Sequence, residues 1–153
     1  VTRYVTLAEY FWLAEHVTGV DATALVHRSR DDLADSALRA PEAGFGDVEF
    51  HPEAYDKAAA LVCRLAWNHP LPDGNQRAAW AALVMFVDLN GRVWEPDPPD
   101  VDEAEVAMQA TAAGEVDEAW VADWLRKRVR FPTRARREAN GSPTPEGRPL
   151  PTR

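Results

Sequence analysis

The stretch Ala78, Ala79, Ala81, Ala82, Leu83, Val84, Met85, Phe86, Val87 and Leu89 leaves almost no polar surface on any side of a helix. Such a helix is stable only with other elements packed around it, so it belongs in the middle of a domain. It runs from about Asn75 to Asn90 and is ended by Gly91. Upstream, Ala54, Ala58, Leu61, Val62, Leu65 and Ala66 recur at helical spacing through about Asn68, and Pro52 suits the first position of that helix. Between the two lies His69-Pro70-Leu71-Pro72-Asp73-Gly74-Asn75-Gln76-Arg77, whose two prolines and glycine make it a loop.

The rest of the chain supplies the packing partners. Thr6 and Glu9 have capping-box spacing, and the helix they open carries Leu7, Tyr10, Phe11, Leu13, Ala14 and Val17 on one face before Gly19 stops it. Further helices are expected at Ala22 to Arg28, Asp31 or Asp32 to Arg39, Val101 to Ala113 and Val116 to Arg130. The last has a stripe of Trp120, Val121, Trp124, Leu125 and Val129. Trp67, Trp80, Trp120 and Trp124 are expected in the core. Only Ala43 to Phe50, with two glycines and alternating Phe45, Val48 and Phe50, reads as an extended or hairpin segment. The expected architecture is all-α, a helical bundle with one short β element.

A chain of 153 residues can build one core without metal or disulfide, and the single Cys63 points to a reducing compartment. No run approaches the ~18 apolar residues of a membrane span, and the N-terminus lacks a basic stretch followed by an apolar one, so a cytoplasmic location is expected. Residues 1 to 130, the expected folded domain, hold 12 basic and 23 acidic side chains. That acidic body repels a phosphate backbone, so direct nucleic-acid binding is not expected. Residues 131 to 153 are rich in Pro and Arg, with a formal charge of +3, and have the composition of a disordered tail.

The polar loop running into the central helix is the candidate site. The first-turn amides of Gly74, Asn75 and Gln76 have no partners inside the helix, and the helix dipole attracts an anion there, reinforced by Arg77. The carboxylate of Asp73 opposes phosphate unless a cation intervenes, which magnesium would do. His69 stands where it can take a proton from an attacking hydroxyl. Two structural alternatives stay open: Asp73 as a helix cap, and Arg77 paired with a carboxylate. His16, His27 and His51, without such neighbours, read as caps or packed residues. Asp97, Asp100, Asp102, Glu103 and Glu105 lack calcium-loop spacing and read as solvated.

The nine residues from His69 to Arg77 resemble the His-x-Phe-x-Asp/Asn-Gly/Ala-Asn-Lys-Arg motif of the Fic/Doc family, specifically its death-on-curing (Doc) branch. Ser36 to Pro41, Phe45-Gly46, His51-Pro52, Lys57 to Leu61, Asn68, Asn90-Gly91 and Ala113 to Glu115 are also similar to Doc-like chains. The resemblance implies a Fic/Doc-like bundle with a short β flap, His69 as general base, and Asp73 as ligand of Mg2+. It implies that Gly74, Asn75, Gln76 and Arg77 bind nucleotide phosphates, and that Gly44, Phe45, Gly46, Asp47 and Val48 form a flap that docks the target chain. It further implies a toxin that moves phosphate from ATP, or another nucleoside triphosphate, to a Ser or Thr hydroxyl of a protein such as EF-Tu, inhibiting translation. A Phd-like antitoxin would restrain it.

Gln76 and Trp80 stand where AMP-transferring members have a glycine and a second arginine, which argues against the alternative of adenylyl transfer. Doc-like members have lysine where Gln76 stands, so a catalytically impaired binding module is the other alternative. Leu71 replaces the motif phenylalanine and is expected to anchor the loop in an apolar pocket. Ser142 to Gly147 fits a family inhibitory pattern with Glu146, but Pro143 and Pro145 oppose the helix that pattern needs.

Overall fold

The computed structural model describes residues 1–95 and 97–130. The N-terminal half contains α1 (Leu7–Thr18), α2 (Ala22–Arg28) and α3 (Asp31–Arg39), then a 3-10 turn at Ala40–Glu42 and a hairpin of β1 (Gly44–Phe45) and β2 (Val48–Glu49). Next come α4 (Ala54–Asn68), α5 (Asn75–Leu89), β3 (Val93–Trp94), α6 (Val101–Ala112), α7 (Glu118–Arg126) and β4 (Val129–Arg130). The fold is an all-α bundle with a short β flap.

Local chemistry sets most of these limits. The Thr6 hydroxyl accepts from the Glu9 amide and the Glu9 carboxylate accepts from the Thr6 amide, both at 3.2 Å, and Gly19 closes α1 at φ 73. Asp21, Asp100 and Asp117 cap α2, α6 and α7. Gly44 is required by close packing: a Cβ there would lie 2.5 Å from the Val48 carbonyl oxygen across the hairpin.

The sequence expectations need correction in several places. Pro52 does not open α4, because Glu53 is its extended N-cap; proline's fixed φ serves an extended exit from the hairpin equally well. The last helix begins at Glu118 and stops at Arg126, after which Val129 and Arg130 pair antiparallel with Trp94 and Val93. Two residues per strand are too few for alternation to show in the sequence. Trp120 is exposed, whereas Trp67, Trp80 and Trp124 pack against the core.

The most enclosed helix is α4, not α5. Lys57 through Cys63, Leu65 and Ala66 are buried, and α4 packs against α3, α5, α6 and α7. Its alanines let those neighbours approach closely, while α5 keeps Trp80, Ala81, Val84 and Met85 half-buried along the protein's outer side. No helix among the described residues is long and apolar enough to cross a membrane. The expected tail, including Ser142 to Gly147, lies outside the described residues.

Candidate active site

The junction of α4 and α5 is built to hold an irregular loop in one shape. His69 ends α4 at φ 45 and ψ 57, and among the described residues it is the one non-glycine with positive φ. A side chain in that region costs about 1–2 kcal/mol, and such strain concentrates at functional positions. Beyond it Pro70 and Leu71 are buried, so Leu71 anchors the loop as expected. The Pro70 carbonyl accepts from the Arg30 amide at 2.8 Å, and Asn68 Nδ2 donates to the Leu33 carbonyl at 3.1 Å. The start of α3 thereby fixes the end of α4.

Asn75 locks the other side. Its Oδ1 accepts from the Leu71 amide and its Nδ2 donates to the Leu71 carbonyl, each at 2.9 Å. The Asn75 side chain is thus committed to the loop, and its backbone N–H, the group expected at the phosphate, is what Asn75 can offer an anion.

Gly74 is the N-cap of α5 at φ 76, and no side chain caps this helix. Asp73 is therefore not a cap. It is exposed, and among the described residues neither it nor the exposed His69 has a side-chain hydrogen-bond or ion-pair partner. Asp73 directly precedes Gly74, the N-cap of α5, and His69 directly follows the last residue of α4. One carboxylate is enough for magnesium, which binds through one or two carboxylates plus phosphate oxygens and water; the described residues hold no larger metal-ligating cluster.

Arg77 is not paired with a carboxylate. Its Nη1 donates to the Val17 carbonyl at 3.0 Å, near the C-terminus of α1. It lies so close to Gly74 that a Cβ at Gly74 would be 3.4 Å from Arg77 Nη2 and 2.8 Å from Thr18 Cγ2. The guanidinium thus keeps further donors at the helix start while α1 holds it in place. Gln76, in the first turn, is exposed. A cavity of about 610 Å³ has Gln76, Arg77, Val17, Trp80 and Met108 in its wall; His69 and Asp73 are not part of that wall.

The flap residues Gly44, Phe45, Gly46, Asp47 and Val48 form the expected hairpin, exposed throughout. Its root contacts the first turn of α4, whereas His69 follows the last. The helix between Lys57 and His69 rises roughly 18 Å. Two features escaped the sequence reading: the Asn75–Leu71 closure, signalled only by Asn lying four residues after Leu, and Lys57 beneath the flap, whose sole signal was a lysine on an apolar helix face.

The model of the Fic/DOC family matches residues 5–87. Over 85 residues the chain is 45% identical to a protein named Toxin Doc from Mycolicibacterium smegmatis, a match covering 56% of this chain and 65% of that relative. The chain spans just under two thirds of the length of the relative it matches.

Proposed function

Because this chain belongs to the Fic/DOC family, we propose that it is a Doc-like toxin whose α4–α5 junction transfers phosphate from ATP, or another nucleoside triphosphate, to a Ser or Thr hydroxyl of a protein. The observation that carries this reading is the uncapped start of α5 with Asp73 uncommitted beside it. The amides of Gly74, Asn75 and Gln76, with the remaining donors of Arg77, hold the phosphates. His69 accepts the hydroxyl proton as the new O–P bond forms and the bond from the terminal phosphorus to the bridging oxygen breaks, releasing nucleoside diphosphate. Mg2+, held by Asp73 and phosphate oxygens, would supply charge neutralisation.

The target we assign is EF-Tu, engaged through the flap in the cytoplasm, with translation as the process stopped. The partner we assign is a Phd-like antitoxin. The cavity bordered by Val17, Trp80 and Met108 suits a partner segment, because anything seated there lies against Gln76 and Arg77. The resemblance to Toxin Doc supports this reading.

Transfer with ATP labelled separately at its terminal and innermost phosphates tests the proposal. Terminal label should appear on EF-Tu; innermost label alone would make the protein an adenylyltransferase. Gln76 favours a second reading, a Fic-fold binding module without catalysis. In that case His69→Ala would leave growth inhibition intact, whereas the enzyme reading expects inhibition to vanish.

A further inference from the structure

Every residue from Gly44 to Phe50 is exposed, including Phe45 at 83%, Val48 at 65% and Phe50 at 61%. Apolar burial therefore does not position this hairpin. Its ladder has two residue pairs, Gly44 with Glu49 and Phe45 with Val48, plus a hydrogen bond from the Phe50 amide to the Ala43 carbonyl at 3.0 Å. A two-stranded hairpin with so little else is marginal in water.

Polar contacts reach the hairpin from both sides. Lys57, in the first turn of α4, is only 3% exposed. Its Nζ donates to the Pro41 carbonyl at 3.2 Å, before β1, and lies 3.4 Å from Oε1 of Glu49 in β2. The Tyr4 ring is 5.8 Å away on another side. At the hairpin exit, His51 Nε2 is 3.3 Å from Glu118 Oε2, and Glu118 Oε1 accepts from Arg64 Nε at 2.8 Å. A buried ammonium is costly without a carboxylate, whereas Glu49 is half-exposed and loses little by leaving. The asymmetry makes the lysine the holder and the hairpin the element held.

We propose that Lys57 is the positioning residue of the flap: it joins the segments before β1 and in β2 to the buried first turn of α4, and so sets the angle at which Phe45, Val48 and Phe50 meet a target chain. This rests on the reading of the flap as the target-docking element.

The test uses the full chain with Glu49→Gln, an exposed substitution that leaves the core alone, alongside Lys57→Met. Hydrogen exchange of residues 44–50 should quicken by roughly two- to five-fold in Glu49→Gln, with α4 and α5 unchanged. With EF-Tu as acceptor, KM for EF-Tu should rise by a similar factor while kcat and KM for ATP hold. Unchanged flap exchange in Glu49→Gln would overturn the clamp, whether or not Lys57→Met folds. Faster exchange with KM for EF-Tu unchanged would support the clamp and sink the docking reading instead.

Discussion

Asn75 and Leu71 form a closed pair: the asparagine amide group accepts from the Leu71 N–H and donates to the Leu71 carbonyl, both at 2.9 Å. The side chain takes the place of a paired backbone segment. It holds the loop carrying Asp73 and Gly74 against the end of α4. Asn75→Ala should cost about 2–3 kcal/mol, from two lost hydrogen bonds and part-buried Leu71 groups left unpaired. Urea unfolding measures this, and phosphate transfer should fall with it. An Asn75→Ala protein as stable as the parent would show that the pair does not hold the loop.

His69 closes α4 in a left-handed conformation. Its φ of 45 is free for glycine and strained for any other residue. His69→Gly should therefore stabilise the fold by about 1 kcal/mol while abolishing transfer. His69→Ala should be equally inactive without the gain. Residual transfer in either variant at the parent's rate would remove His69 from the role of base.

Gln76 lies in the first turn of α5, where a cation opposes the helix dipole but attracts phosphate. Gln76→Lys should lower KM for ATP several-fold and lower stability by about 0.3–1 kcal/mol. Steady-state kinetics and a thermal melt read the two effects separately. An unchanged KM would mean that glutamine is not what limits nucleotide binding.

Burial pushes the Cys63 thiol up to about 12, with Glu118 and Asp117 adding to the rise and Arg64 opposing it. The folded value exceeds the unfolded one, so the unfolded chain loses its proton first. Stability from this group is intact below about pH 9 and declines as pH climbs toward 12. Burial raises the Tyr10 hydroxyl as well, adding to the loss at the alkaline end. Urea midpoints measured across this range should fall, and Cys63→Ala should flatten the slope. An identical slope in that variant would dismiss Cys63 as its source.

What could be read in the chain by itself was whatever acts over a few residues. Thr6 with Glu9, Gly19, and the prolines and glycine between His69 and Arg77 mark element ends through contacts inside one turn. The motif residues are neighbours in sequence, so their grouping was legible too. Tertiary structure decided which groups were already occupied: Asn75 by Leu71, Arg77 by Val17, and Lys57 by Pro41 and Glu49. It also chose α4 over the more apolar α5 as the central helix, and paired Trp94 with Val129. The long-range choices depend on which distant segments pack together, and composition within one helix carries no record of its neighbours. A side chain's capacity to bind is written in its type; whether that capacity remains free is settled by what the fold brings against it.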